Sequence, residues 1–146
     1  MKGRTLAVLA ALLAPAALGA QEAGYKIIVN AANSATVVKR EAVAQLFLNR
    51  KATWTNGPTA DPVDLSMTSP VREAFSREIL GMPLPAVQQY WRRRLLEIKE
   101  FPPLAKSSDA EIVAYVAKSP GGIGYVSDAT ALPPTVKALK VPDPIR

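Results

Sequence analysis

The amino-acid sequence predicts an α/β fold in which a mixed sheet is flanked by helices. Three short apolar segments have the character of strands. Lys26–Asn30 is rich in β-branched residues, Pro62–Met67 alternates apolar and polar residues, and Ile123–Val126 is flanked by glycines. Segments whose apolar residues recur at helical spacing separate these strands. Strands that alternate with helices in this way favour a small layered α/β structure.

The first half of the chain predicts a strand, a helix and a second strand. After Lys26–Asn30, turn residues lead into Val38–Asn49, which has apolar residues at helical spacing and charges on its other face. Residues 50–61 form a loop, with Asn56-Gly57 as the strongest turn signal. Pro62–Met67 is the second strand because its apolar residues alternate.

A capped helix follows the second strand. Ser69 can cap the helix and Pro70 suits its first position. Apolar residues then recur at four-residue intervals, at Val71, Phe75 and Ile79. Gly81 ends the helix, since glycine tolerates the left-handed conformation that often follows a last helical turn.

Pro85–Lys99 gives the clearest helical pattern in the chain. One apolar stripe runs along it, formed by Val87, Tyr90, Trp91, Leu95 and Ile98. Because Tyr90 and Trp91 lie on this stripe, they are predicted to be core residues rather than site residues. The segment FPPLAK, residues 101–106, is predicted to break the helix.

The last third of the chain predicts one more helix and two strands. Ser108 and Glu111 have the S-x-x-E spacing of a capping box at the start of a helix. SPGG, residues 119–122, ends that helix before the buried strand Ile123–Val126. Val136–Val141 is predicted to be a final strand or an extended tail.

The N-terminal residues have the three-part pattern of a secretory signal peptide. Lys2 and Arg4 form a basic start, an apolar run follows over residues 6–13, and small residues precede a cut after Gly19. The prediction is therefore a signal peptide at 1–19 and a single α/β domain at 20–146. An exported chain of this size without cysteine favours a periplasmic location and excludes a lipoprotein anchor.

The composition excludes several kinds of chemistry. The chain has no histidine and no cysteine, so it lacks histidine bases, cysteine nucleophiles and the usual zinc ligands. Asp61 and Asp64 are three residues apart on a strand, which puts their carboxylates on opposite faces. Catalysis would then need a Ser–Lys pair, and no motif in the sequence supports a Ser–Lys hydrolase. We therefore predict that the protein is not an enzyme and that it has no cofactor and no metal site.

The loop between the second strand and its helix is the main candidate for a binding site. Helix N-termini expose backbone N–H groups and carry partial positive charge, which favours an oxyanion. Ser66, Thr68 and Ser69 offer hydroxyl groups, and Arg72 offers a two-pronged contact. The alternative on the residues alone is an ordinary helix cap beside a solvated arginine. The loop after the first strand gives weaker candidates, Asn33 and Ser34, because it also follows the carboxyl end of a strand.

Two other features are interpreted as surface and core structure. The run Arg92–Arg94 beside an apolar stripe is typical of a solvated helix face. Nucleic acid is not an expected partner of an exported chain, whereas a polyanionic envelope partner or a lipid headgroup would be attracted by the charge. Trp54 could be a surface aromatic side chain for a ligand, but such a tryptophan more often folds back, and we predict that it closes an edge of the core.

Three segments, in this order, resemble periplasmic phosphate-binding proteins. KIIVNAANSATVVKREAVAQLFLNRKATWTNG is similar to a strand and helix that lead to a tryptophan and a turn in that family. DLSMTSPVREAFSREILG resembles the strand, S-G-T-R-x-x-F motif and helix that follow, and KSPGGIGYVS resembles a late glycine-rich strand. The resemblance covers residues 25–127 and implies the type II periplasmic-binding fold of phosphate ABC transporters. The chain has room for one of that fold's two lobes.

The resemblance implies a binding protein for phosphate or a related oxyanion. It also implies an ABC transporter or another envelope protein as a partner, and a homodimer is one way to complete the site. Ser69 and Arg72 match the motif, but Pro70 and Val71 replace its glycine and threonine. Proline removes one N–H donor and valine removes one hydroxyl. Two lost donors, at about 1.5–3 kcal/mol each, weaken anion binding by about 10²-fold or more. The alternative is an envelope interaction or accessory module that has lost its small ligand.

Overall fold

A computed structural model describes residues 24–55 and 57–142, so the predicted signal peptide at 1–19 and Asn56 of the predicted turn lie outside the described residues. The described strands are β1 (Tyr25–Asn30), β2 (Asp61–Leu65), β3 (Leu104–Lys106), β4 (Gly122–Ser127) and β5 (Val136–Leu139). The described helices are α1 (Arg40–Phe47), α2 (Pro70–Phe75), α3 (Leu84–Ile98) and α4 (Asp109–Lys118). The α/β class and the predicted helices and strands are confirmed, and β3 is an additional strand that was not predicted.

The five strands form one mixed sheet in the order β3-β2-β4-β1-β5. β2 runs parallel to both β3 and β4, whereas β1 runs antiparallel to β4 and to β5. The register fixes the two ends of the sheet. Val29 near the end of β1 and Pro62 near the start of β2 both pair with Ile123 of β4. The carboxyl end of β1 therefore lies at the opposite end of the sheet from the carboxyl end of β2.

Helices cover both faces of the sheet. On one face the ring of Tyr125 stacks on Phe75 of α2, with centroids 3.8 Å apart, and Phe75 meets Phe47 of α1 at 4.8 Å. The next residue back in β4, Gly124, faces α4 on the other side of the sheet. A Cβ atom at Gly124 would lie 2.7 Å from Cγ2 of Ile112, so glycine lets α4 approach the strand closely.

The helix that begins at Ser69 changes its geometry partway along. After α2, residues 76–80 continue as one π-helical turn, which ends at Gly81 with φ +68°. The Ser76 hydroxyl donates a hydrogen bond to the Met82 carbonyl across this end. Gly81 was correctly predicted as the stop, whereas the π-helical turn was not predicted from the sequence.

The structure corrects two predictions around α3. FPPLAK does not only break the helix, because its last three residues form β3, which pairs with β2 through Val63–Leu104 and Leu65–Lys106. The apolar stripe of α3 is buried at Val87 and Trp91, but Ile98 is 58% exposed because the helix extends beyond the core. Within the described parts of the chain, no helix is both long enough and apolar enough to span a bilayer.

Candidate functional site

The candidate site is the edge of the sheet where the carboxyl ends of β2 and β3 lie side by side, and this edge is called the crevice. The two strands are parallel neighbours, and the Ser66 N–H donates to the Lys106 carbonyl at 2.9 Å just beyond their last pair. The chain leaves β2 towards α2 on one face of the sheet and leaves β3 towards α4 on the other. In open α/β sheets, ligands bind where neighbouring strands send the chain to opposite faces in this way.

The α2 side of this crevice carries three hydroxyl groups. Ser66 Oγ and Thr68 Oγ1 are 3.1 Å apart, and the Thr68 N–H donates to Ser66 Oγ at 3.4 Å. Ser69 is the N-cap of α2, where its Oγ accepts from the Arg72 N–H at 3.4 Å. Both bonds to backbone N–H groups are long for hydrogen bonds, so an incoming acceptor could replace them at small cost.

Arg72 points inward from the first turn of α2 and is only 7% exposed. Its Nη1 donates to the Leu65 carbonyl at 2.6 Å, and its Nη2 lies 3.3 Å from Asp64 Oδ2. The other carboxylate oxygen of Asp64 accepts a hydrogen bond from the Tyr125 hydroxyl. The guanidinium therefore lies behind the hydroxyl loop and holds the end of β2 against the start of α2.

Burial sets the protonation of this cluster. Burial raises the pKa of the Asp64 carboxyl, and the Arg72 cation and the Tyr125 hydroxyl act in the opposite direction. Burial and the charge of Asp64 also raise the pKa of the Tyr125 hydroxyl, which therefore stays protonated as the donor. A carboxylate so little exposed requires a charged partner and hydrogen bonds, and Arg72 and Tyr125 supply both.

The α4 side of the crevice is occupied by the protein's own carboxylate. Ser108 caps α4 by accepting from the Glu111 N–H at 3.2 Å, as the capping box predicted. Glu111 Oε2 accepts from the Ser107 N–H at 2.9 Å and from the Ser108 hydroxyl at 3.2 Å. The N-terminus of α4 is thus already matched by a negative charge.

The carboxylate of Asp109 accepts hydrogen bonds from hydroxyl groups at the end of β4. Asp109 Oδ2 accepts from the Ser127 N–H at 3.2 Å and from the Thr130 hydroxyl at 2.7 Å. Partial burial would raise the pKa of Asp109, but hydrogen bonds from Ser127 and Thr130 outweigh it and lower the pKa. Ser107 and Ser108 were not predicted as site residues, because β3, which brings them to this edge, was not predicted.

The structure does not bring the two predicted loops together. Asn33 and Ser34 follow β1, so they lie at the opposite end of the sheet from Ser66, Thr68 and Ser69. Asn33 Oδ1 accepts from the Ala35 N–H at 2.8 Å, and its buried Nδ2 has no hydrogen-bond partner among the described residues. One small anion cannot contact both loops.

Asn33 and Ser34 line a cavity of about 310 Å³ together with Trp54. The Trp54 Nε1–H donates to the Gly121 carbonyl at 3.0 Å, and its ring packs against the core. This confirms the prediction that Trp54 closes an edge of the core. Residues 24–55 and 57–142 contain no cluster of three or more acidic, histidine or cysteine side chains that could hold a metal ion.

Solved structures of phosphate-transport proteins are similar to this chain. An ABC-type phosphate transport receptor from Vibrio cholerae matches with a TM-score of 0.60 and 21% identity, over 80% of this chain and 45% of its own. PstS from Borrelia burgdorferi matches with a TM-score of 0.62 and 13% identity, over 81% and 47%. A Clostridium perfringens structure with bound phosphate, assigned as a phosphate ABC transporter substrate-binding protein, matches with a TM-score of 0.62 and 19% identity, over 81% and 44%.

The chain shares the fold of these proteins. It spans less than half the length of each of them, in agreement with the single lobe that the sequence resemblance implied. No protein-family model matches the sequence, and no curated protein matches it. At these identities the similarity establishes the fold alone.

Proposed function

We propose that this protein is a solute-binding domain that takes phosphate or a related oxyanion at the crevice between β2 and β3. The observation that carries the proposal is the difference between the two helix starts at this edge. Glu111 fills the start of α4, whereas no carboxylate bonds to the hydroxyls of Ser66, Thr68 and Ser69 within the described chain. An external anion would fill this second position, where hydroxyl groups and the helix N-terminus favour negative charge.

In this proposal Arg72 acts from behind the loop. Its guanidinium is committed to Asp64 and to the Leu65 carbonyl, so it orients the loop and contributes charge without being the main contact to the anion. The donors to the anion are the hydroxyls of Ser66, Thr68 and Ser69. Because Pro70 has no N–H and Val71 no hydroxyl, the site holds an oxyanion weakly and selects poorly among phosphate, sulfate and carboxylates.

Export to the periplasm and a link to an ABC transporter belong to the same proposal. The N-terminal pattern of residues 1–19 supports export, and the shared fold with phosphate-transport proteins supports the link. The role is binding rather than catalysis. A second copy or another envelope protein is the partner that we propose for this lobe, which spans less than half the length of its structural neighbours.

One observation favours a second function, that of an envelope interaction or accessory module. Arg72 is a structural residue here, with both terminal nitrogens engaged by the protein itself. A lobe that uses its arginine internally and lacks two of the loop's donors could retain the fold without a small ligand. The two functions differ in whether the mature protein binds any oxyanion.

Isothermal titration of the mature protein with phosphate, sulfate and acetate, at low and at physiological salt, tests the proposal. We expect measurable heat with phosphate that is lost in the double variant Ser66→Ala/Thr68→Ala. The matched control is Thr36→Ala/Thr135→Ala, which removes two exposed hydroxyls beside β5, at the edge of the sheet furthest from β3, and should leave the titration unchanged.

Absence of binding by all three anions at millimolar concentration would overturn the proposal and leave the interaction module. Binding that both double variants weaken equally would also contradict it, because the hydroxyls of the crevice would then have no special role. Urea unfolding of each variant checks that the fold is intact, since none of the four hydroxyls lies in the buried core.

A further inference from the structure

One surface of the molecule concentrates its exposed apolar side chains. Among the described residues, six large apolar side chains are exposed, and five of them fall between residues 95 and 104: Leu95, Leu96, Ile98, Phe101 and Leu104. The exception is Val37. These five residues, at the end of α3 and the start of β3, are called the apolar end. Monomeric proteins seldom expose such side chains together unless something binds there.

Cationic side chains surround the apolar end. Residues 92–106 carry five basic and two acidic side chains, which accounts for +3 of the chain's formal charge of +6. One of the acids, Glu100, is already paired with Arg94. The side chains of Arg92, Arg93 and Lys99 are exposed and have no ion-pair or hydrogen-bond partner within the described chain.

The helical spacing combines the two kinds of side chain on one side of α3. Arg92, Leu95, Leu96 and Lys99 follow the i, i+3, i+4, i+7 pattern, so they lie along one side of the helix. Leu96 is 68% exposed and Phe101 is 71% exposed, and both project from the body of the protein. Long cations beside projecting leucine, isoleucine and phenylalanine are the composition that places a helix at a lipid–water interface.

We propose that the apolar end docks on the surface of an anionic lipid bilayer, with its apolar side chains among the acyl chains and Arg92, Arg93 and Lys99 at the headgroups. Charge favours an anionic bilayer over a second copy of the chain, since two copies that met through residues 92–106 would place a net charge of +3 against another of +3. A bilayer also accepts projecting side chains without a shaped pocket. The apolar end includes the amino end of β3, whereas the hydroxyls of the crevice lie beyond its carboxyl end at Lys106, so the two proposals rest on different side chains.

Vesicle co-sedimentation of the mature protein tests this proposal. We expect binding to phosphatidylcholine vesicles with about one third phosphatidylglycerol, little binding to phosphatidylcholine alone, and loss of binding as salt is raised to about 0.5 M. The variant Leu96→Glu/Phe101→Glu should lose vesicle binding. Val37→Glu, at an exposed apolar position elsewhere, is the matched control for the single variant Leu96→Glu, which adds the same charge; Val37→Glu should bind as the wild type does, whereas Leu96→Glu should bind more weakly.

A second pair of variants tests the contribution of charge. Arg92→Gln/Lys99→Gln should weaken binding by about tenfold or more. Lys39→Gln/Lys118→Gln makes the same change in net charge at two exposed lysines elsewhere and should weaken it much less. An equal loss of vesicle binding in the two double variants would overturn the proposal of a docking surface at the apolar end.

Two further results would overturn the proposal. One is the absence of binding to anionic vesicles by a protein whose urea unfolding is normal. The other is a dimer in sedimentation velocity that dissociates in Leu96→Glu/Phe101→Glu while vesicles stay unbound, which would assign the surface to a second copy. Because both variant positions are exposed, their folding should match the wild type, and urea unfolding measures this directly.

Discussion

Replacing Arg72 with methionine should destabilise the protein strongly, because the arginine neutralises a buried carboxylate. The Arg72 and Asp64 side chains are 9% and 5% exposed. The change removes the 2.6 Å hydrogen bond to the Leu65 carbonyl and leaves Asp64 with only the Tyr125 hydroxyl as its side-chain partner. Breaking a buried pair in this way costs about 3–5 kcal/mol, equivalent to a fall in Tm of roughly 10–20 °C.

Urea unfolding followed by the fluorescence of Trp54 and Trp91 measures this cost. The matched control is Arg77→Met. Arg77 lies five residues further along the chain from Arg72, is 62% exposed on its side chain, and pairs with Glu73 at 2.6 Å in solvent. An exposed pair of this kind contributes at most about 1 kcal/mol, so the control should unfold close to the wild type.

The pH dependence of the stability lost in Arg72→Met is a second measurement of the same interaction. Without Arg72, the attraction that lowers the pKa of Asp64 is gone, so the folded-state pKa lies further above its ordinary value of 3.8. An acid whose pKa is raised by folding costs stability as the pH rises from the unfolded-state pKa towards the folded-state pKa. The deficit of Arg72→Met relative to the wild type should therefore grow from pH 4 to pH 7, by about 1.4 kcal/mol per unit of further pKa shift.

Two results would refute this reasoning. The first is a cost for Arg72→Met within about 1 kcal/mol of the cost for Arg77→Met, which would make Arg72 a free ligand-binding side chain. The second is an equally large cost in the double variant Asp64→Leu/Arg72→Met. Removing both charges leaves neither unpaired, so the double variant should recover much of the stability.

Two other predictions concern the packing and the hydrogen bonds of β4 and α4. Gly124→Ala places a Cβ atom 2.7 Å from Ile112 Cγ2 and should cost about 1–3 kcal/mol in urea unfolding. Asp109→Asn should cost about 1 kcal/mol at neutral pH through weaker bonds from Ser127 and Thr130. Because folding lowers the pKa of Asp109, this difference from the wild type should persist above pH 3.8 and shrink as the pH falls below it.

The elements with strong local signals were predictable from the sequence. Ser69 and Ser108 cap their helices as expected, and Gly81 adopts the left-handed conformation that ends α2 and its π-helical turn. These features depend on side chains and backbone preferences within a few residues, so the local sequence contains the information. The buried strand β4 has a similar local signal, since glycine precedes it and most of its own residues are apolar or glycine.

β3 was missed because tertiary pairing, rather than local sequence, makes it a strand. It has three residues, follows two prolines, and exposes Leu104 to solvent. Its extended form is stabilised by the hydrogen bonds to β2, which join residues about forty positions apart. The missing strand also hid the crevice, because only the parallel pair β2–β3 brings the starts of α2 and α4 to one edge.

The sequence contains a signal for the inward direction of Arg72, namely the buried charge of Asp64, but the alternation of apolar and polar residues does not show that Asp64 is buried. Alternation puts Asp64 on the face opposite to Val63 and Leu65, which suggests solvent when only one face is covered. Here helices cover both faces, and Asp64 is 4% exposed. A charged residue in the middle of a doubly covered strand requires an opposite charge, and Arg72 is the first basic residue that follows it.

The contrast between the two helix starts explains why a family resemblance and an altered motif are compatible. At α4 the protein supplies its own anion, since Glu111 accepts from Ser107 and Ser108. At α2 the first-turn acid, Glu73, instead pairs outward with Arg77, which leaves the hydroxyl loop without an internal carboxylate. Pro70 and Val71 reduce the donors of this loop, but they add no competing charge. Under the proposed function, this loop is the place for an external oxyanion, with an affinity lowered by the missing donors, and the titration of Ser66→Ala/Thr68→Ala tests it.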